Sequence, residues 1–237
     1  MRFLRSLLFS IGMILITVIY AIPSCLSYVL PYRLRYRIVG VWHRAVLWWL
    51  QFTCGIRYQI EGLENIPQGR AGIIFAKHES TWETLALTKI FPPQAWVLKR
   101  ELLWVPFFGW ALAVLEPIAI DRNAGRKAIN QIIVQGIARL DAGRWIVVFP
   151  EGTRTAPGET KKFGVGGAFL AAKSGYPVIP VAHNAGEFWP KRGFLKKPGT
   201  IKVVIGKPIQ TAGRKPAEIN AEAEQWINTT RASLNTI

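Results

Sequence analysis

The chain is poor in cysteine, in histidine and above all in acid. Two cysteines, Cys25 and Cys54, in 237 residues exclude a disulfide framework and a multi-cysteine zinc site, and suit a reducing compartment. Three histidines, none with a second in helical register, argue against a histidine-based metal pair. There is no internal repeat, no low-complexity linker and no Gly-x-Ser-x-Gly elbow. Only 14 acidic residues face 30 Lys and Arg, giving a net charge of +16. That surplus calls for an acidic partner, either nucleic acid or an anionic membrane surface. What the chain has in quantity is apolar: half of it is hydrophobic and mean hydropathy is +0.20, which rules out intrinsic disorder. At about 150 residues per domain, the length fits one substantial domain with an appendage, or two small domains.

The distribution of charge separates the two partners. Glu61 is the first acid, so residues 1–60 carry seven arginines and nothing opposing them. Between Arg5 and Arg33 lie 27 uncharged residues with an apolar heart over 7–22. A run of ~20 apolar residues is long enough for a bilayer core of ~30 Å, and a nucleic-acid-binding domain has no need of one. The membrane is therefore the expected partner. Residues 1–54 read as a membrane-associated helical segment, with three forms open. One is a cleaved signal peptide near Cys25; another is a spanning helix kinked or ended near Pro23 and Pro31. The third is a hairpin embedded in one leaflet, its second arm over 38–52, where Trp42, Trp48 and Trp49 suit the headgroup level. The arginine cluster 33–44 places the following domain in the cytoplasm, on the inner membrane face.

From residue 55 to 237, short apolar runs alternate with amphipathic stretches. Strands are expected at 72–76, 95–98, 115–120, 145–149, 178–182 and 201–205. Helices are expected at 82–90, 126–140, 166–173 and 217–234. In the second, Ile129, Ile132, Ile133, Gly136, Ile137 and Leu140 follow the i, i+3, i+4, i+7 rule. The alternation defines an α/β class, a mixed sheet flanked by helices, following an N-terminal apolar helical membrane element. The basic, Pro- and Gly-rich stretches 188–200 and 206–216 read as surface excursions.

Four places carry possible chemistry. In Ala76-Lys77-His78-Glu79-Ser80-Thr81-Trp82-Glu83, His78 and Glu83 are five apart. Within one helix that is about 140° of rotation, so they meet only if His78 precedes the helix and Glu83 lies in its first turn. A carboxylate holding a histidine makes a general base. Ser80-Thr81-Trp82-Glu83 is equally a capping box, in which Glu83 is structural. In Phe149-Pro150-Glu151-Gly152-Thr153-Arg154, a buried strand ends in a polar loop. There Arg154 offers a planar fork for phosphate, Thr153 a hydroxyl and Gly152 a close backbone approach; a plain turn with an ion pair is the alternative. Asp121-Arg122 ends a third strand, as a local ion pair or a ligand site. Tyr176-Pro177-Val178-Ile179-Pro180-Val181-Ala182-His183 is a proline-bounded core strand, with His183 in core packing.

Together and in this order, the motifs resemble the lysophosphatidate (1-acyl-glycerol-3-phosphate) acyltransferase family over roughly residues 55–210. The family's histidine, four residues and an acid correspond to His78 and Glu83, with Glu where Asp is usual. Ile120-Asp121-Arg122, Phe149-Pro150-Glu151-Gly152-Thr153-Arg154, Pro177-Val178-Ile179-Pro180 and Lys99-Arg100-Glu101-Leu102 complete the match. The resemblance implies transfer of an acyl chain from acyl-CoA or acyl-carrier protein to the sn-2 hydroxyl of lysophosphatidic acid. It implies His78 as base and Glu83 as its orienter, with Lys99, Arg122 and Arg154 on the phosphate. Gly152 and Thr153 then lie in the substrate loop, and Glu151 on a substrate hydroxyl or an arginine. No metal or cofactor is implied, because the thioester is already activated. Sibling acyltransferases acting on glycerol 3-phosphate or another lysolipid share these motifs. A non-catalytic membrane-binding protein and a lipid hydrolase using Ser80 are more distant readings.

Overall fold

The computed structural model describes residues 1–234, with Arg122 described through its backbone alone. The apolar start folds as two antiparallel helices, α1 (Arg2–Leu26) and α2 (Tyr32–Cys54). α1 runs through Pro23, where an end or a kink was expected. Three residues from the helix end, the ring forfeits little more than one intrahelical bond. A single 3₁₀ turn (Ser27–Val29) and Pro31 reverse the chain, and Gly55, with φ of 68°, closes α2 in the left-handed conformation that glycine adopts freely. The arms are stitched by the Trp42 indole donating to Thr17 Oγ1 at 3.1 Å and the Trp49 indole donating to the Leu8 carbonyl at 3.3 Å. Gly12 permits this crossing, because a Cβ there would overlap the Trp49 ring.

Seven strands form one sheet: β1 (Ile56–Glu61), β2 (Ile73–Ala76), β3 (Gln94–Lys99), β4 (Ile118–Ile120), β5 (Trp145–Val148), β6 (Val178–His183) and β7 (Gly199–Ile205). The order is β1-β7-β6-β2-β5-β3-β4, parallel at every step except β6 against β7. Every residue of β2, β5 and β6 is buried, as a parallel sheet covered on both faces requires. The covering helices are α3 (Trp82–Ile90), α4 (Phe108–Ala113), α5 (Arg126–Asp141), α6 (Gly166–Ser174), the short α7 (Ala185–Phe188) and α8 (Pro216–Ser233). Phe75 pairs with both Val148 and Pro180, so the carboxyl ends of the three central strands finish side by side. In open α/β sheets that edge is where sites form.

All four expected helices and six expected strands are present, with ends differing by a residue or two except at β4, which is three residues rather than six. β1 was not anticipated: its Ile56, Tyr58 and Ile60 alternate with Arg57, Gln59 and Glu61, and it is held on one side only, by β7. The stretch 188–200 is not the free excursion expected. It begins within α7, buries Phe188, Trp189 and Lys196, and docks on α1. Phe9 meets Trp189 edge-on at 5.1 Å, and the Lys196 amide donates to Ser6 Oγ at 2.9 Å. Phe9, Val46, Leu47 and Leu50 belong to the same hydrophobic core as the sheet, so hairpin and sheet share one interior.

Candidate active site

His78 leaves the end of β2 on a loop, and α3 begins at Trp82, placing Glu83 in its first turn. The two side chains meet: Nδ1–H of His78 donates to Glu83 Oε1 at 2.8 Å. The same oxygen accepts the amides of Glu79 at 3.0 Å and Ser80 at 2.8 Å, while Ser80 Oγ takes the Trp82 amide at 3.1 Å. Glu83 therefore performs both roles that its spacing allowed, closing the helix start and fixing the histidine tautomer. Burial alone would raise its carboxyl. The adjoining His183 ring, the hydrogen bond and charge of His78 and the Ser80 amide outweigh it and hold Glu83 below the ordinary carboxylate range. With Nδ1 committed, Nε2 of His78 carries the lone pair and has no hydrogen-bond partner among the described residues. Its ring is stacked on Phe149, centroids 3.9 Å apart and 13° from parallel.

The second loop, after β5, clamps the first. Glu151 is buried; Oε2 accepts the His78 amide at 2.8 Å and Oε1 pairs with Lys77 Nζ, whose ammonium also reaches the Glu159 carbonyl at 2.9 Å. Burial pushes the Glu151 carboxyl up, against the pull of Lys77 and the His78 amide. Thr155 completes the lacing by donating its amide to the His78 carbonyl at 2.8 Å. The expectation that Glu151 touches a substrate hydroxyl or an arginine is thus corrected. Both its oxygens are taken up in holding Lys77 and the His78 backbone, because the strand delivers it inward rather than to the mouth.

Two further residues of this layer, Glu79 and Arg231, escaped the motif reading, while His183 is buried in the core as expected. Glu79 is fully buried, bound by Arg231 Nε of α8 at 2.7 Å, and Arg231 also reaches Glu187 at 2.9 Å. His183 donates Nε2–H to the Lys77 carbonyl at 2.8 Å and accepts the Ala185 amide on Nδ1 at 3.2 Å. Its Nε2 lies 3.9 Å from Glu83 Oε2. A usable signal existed for Arg231: it follows Ile219, Ala223 and Ile227 at steps of four, on the buried face of α8. None existed for Glu79, whose partner lies 152 residues away.

On its open side His78 lines an apolar cavity walled by Thr17, Tyr20 and Ala21 of α1, Trp42 of α2, Trp96 of β3 and Leu112 of α4, among others. At the loop, Arg154 is half-buried and donates to Thr81 Oγ1 at 2.8 Å. Gly152 adopts φ of +69° with open space where a Cβ would stand, and Thr153 is half-buried beside it. Lys99 is exposed at the end of β3 and pairs with Glu101 at 3.3 Å. Arg122 starts a 3₁₀ turn after β4; its side chain lies outside the described residues. The amides of His78, Glu79, Ser80 and Trp82 are all committed to side-chain oxygens. Among the described residues no group of three or more His, Cys, Asp or Glu is placed to hold a metal.

A histidine held by a buried carboxylate thus stands at the mouth of an apolar cavity, and comparison with known proteins gives the class. The family model described as Acyltransferase matches residues 57–184. The 1-acyl-sn-glycerol-3-phosphate acyltransferase of Pseudomonas aeruginosa is 50% identical over 213 residues, 88% of this chain and 82% of its own length. The human 1-acyl-sn-glycerol-3-phosphate acyltransferase alpha is 27% identical over 230 residues, 94% of this chain and 78% of its own. The chain belongs to the acyltransferase family, with the 1-acyl-sn-glycerol-3-phosphate acyltransferases among its relatives. The crystal structure of the 1-acyl-sn-glycerophosphate acyltransferase of Thermotoga maritima shares the fold, with a TM-score of 0.82 at 23% identity, over 98% of this chain and 95% of that one.

Proposed function

We propose that the protein moves an acyl chain from a thioester, acyl-CoA or acyl-carrier protein, to the sn-2 hydroxyl of lysophosphatidic acid, giving phosphatidic acid. The observation that carries this is the free Nε2 edge of His78 at an apolar cavity, with Nδ1 held by buried Glu83. Nε2 takes the hydroxyl proton as the oxygen attacks the thioester carbonyl. The tetrahedral intermediate collapses with loss of the thiolate, which recovers that proton from the imidazolium, leaving an ester and a free thiol. Glu83 keeps the tautomer and stabilises the imidazolium. Lys77, Glu151, Glu79 and Arg231 hold the loop that carries His78. The acyl chain lies in the cavity, and the acceptor phosphate meets Arg154, with Lys99 and Arg122 at the neighbouring strand ends and Gly152 and Thr153 lining its approach.

The membrane supplies the acceptor and receives the product. α1 is apolar enough to cross a bilayer, yet its first turns are fastened to the α/β domain through Ser6 and Phe9 and it packs on α4, while Thr17 ties it to Trp42 of α2. Its outer face exposes Leu4, Leu8, Ile11, Ile14, Leu15, Ile19 and Ile22. A helix tied in this way lies in one leaflet, because spanning would drag the domain into hydrocarbon. The arginine-rich hairpin sets it on the cytoplasmic face.

His78→Ala is expected to abolish acceptor-dependent thiol release in a folded, membrane-bound protein; normal turnover would remove His78 from the chemistry. Arg154→Ala should raise KM for lysophosphatidate far more than KM for the donor. Equal rises would refute the phosphate assignment, and a better rate with a headgroup-bearing lysolipid would reassign the acceptor.

A further inference from the structure

A second cleft lies at the opposite end of the sheet from His78. We propose that it seats the phosphate head group of an anionic membrane phospholipid that is not a substrate; the proposal rests on the membrane-seated reading above. Arg33, Arg37 and Arg44 of α2 form one wall, with Gly40 between them as a bare floor. Arg70 and Lys89 face them across a groove of about 650 Å³. At about 100° per residue, positions 33, 37 and 44 fall within roughly 40° of one another, a single cationic stripe.

These charges are uncompensated. None of the three α2 arginines pairs with a carboxylate among the described residues. Lys89 rests on the Tyr58 hydroxyl at 2.7 Å, and Arg70 on the Gly175 carbonyl at 2.9 Å. The nearby carboxylates are engaged elsewhere: Glu116 holds Arg35 and Arg144, and Asp141 accepts the Tyr176 hydroxyl. A phosphodiester placed between the walls meets guanidinium forks from one side and an ammonium from the other.

Position selects the occupant. The groove opens beside Ala71 and Trp145, at the amino ends of β2 and β5, whereas His78 follows the carboxyl end of β2. Nine-residue α3, about 13 Å long, separates Lys89 from the His78 loop, so the occupant does not react. Next around α2 from the arginine stripe come Leu34, Trp48 and Phe52, exposed by 42%, 63% and 69%. Beyond them lies the apolar face of α1. Hydrocarbon-seeking, tryptophan-rich and phosphate-seeking strips in that order match the depth profile of a leaflet. An acidic carrier protein would have no use for the bare Trp48 and Phe52 alongside.

The test uses the full chain and vesicles of phosphatidylcholine alone or of equal parts phosphatidylcholine and phosphatidylglycerol. Arg33→Gln/Arg37→Gln/Arg44→Gln should cost on the order of a hundredfold in affinity for the anionic vesicles, at about tenfold or less per arginine, while leaving binding to phosphatidylcholine and turnover in detergent unchanged. Lys173→Gln/Lys202→Gln/Lys207→Gln, equal in charge removed, should cost far less. Gly40→Leu extends a side chain into the groove without altering charge, and a Cβ there meets only Arg44, at 3.8 Å. It should lose the phosphatidylglycerol preference too. Wild-type preference in Gly40→Leu, or equal losses in the two triple variants, would overturn the seat in favour of diffuse attraction. Displacement of the protein from anionic vesicles by millimolar inorganic phosphate at constant ionic strength would make it a free-phosphate site. A turnover defect confined to acyl-carrier protein as donor would assign it to that protein. Failure of wild type to bind any vesicle would instead sink the membrane reading itself.

Discussion

At the scale of the residue, one buried carboxylate does two jobs that substitution can separate. Glu83→Gln keeps a hydrogen-bond acceptor for the amides of Glu79 and Ser80 but loses the charge that steadies imidazolium, so kcat should fall while the helix start survives. Stability supplies a second readout. The Glu83 pKa is depressed in the folded state, so its contribution is complete above the ordinary carboxylate value and disappears as pH falls through the folded one. Thermal unfolding of wild type and Glu83→Gln should differ near neutrality and converge in acid; a constant gap would refute the linkage. Lys77 makes the complementary case. Lys77→Met strands the Glu151 carboxylate in the interior, at a cost of about 3–5 kcal/mol in denaturant unfolding. A loss under 1 kcal/mol would show that water reaches the site. The meeting of His78 and Glu83 could be read from spacing, because both lie in one short loop-to-helix passage. The inward turn of Glu151 could not, since nothing in Pro-Glu-Gly-Thr fixes which way a carboxylate faces until the lysine of the neighbouring strand is in place.

The elements follow the same division between local and distant causes. α5 and the central strands were legible because their apolar periodicity answers to a single burying surface. β1 was obscured because an edge strand half exposed to water has too few apolar residues to stand out, and α7 because four residues carry no period. The 188–200 stretch misled for another reason: its composition is that of a loop, yet Trp189 and Lys196 are buried against a helix 180 or more residues earlier in the chain. The hairpin offers a direct check on element packing. Gly12→Val drives a side chain into the Trp49 ring, and overpacking of this kind costs about 1–3 kcal/mol. Because α1 and α2 wall the cavity, that variant should lose acyl transfer in detergent as well as on membranes, and Trp49→Ala in the same chain should restore part of it. Loss on membranes alone would mean that the hairpin is an anchor and no more.

For the whole molecule, the +16 charge resolves into regions with different work. The hairpin cations sit beside exposed hydrocarbon, and Lys99 and Arg154 stand near the reacting loop. Exposed charges are screened within about 8 Å at physiological ionic strength, so attraction to anionic vesicles should fall steeply between low and high salt. Binding that persists at high salt would be the apolar share contributed by α1. The cavity is the third region, and its walls come from two separate stretches of the chain, residues 17–43 and 78–149.

The Glu79–Arg231 bond also makes the His78 loop dependent on α8. Until α8 is in place, Glu79 lies without its cation beneath the loop that carries His78. The support beneath the His78 loop thus depends on a side chain 152 positions later in the chain.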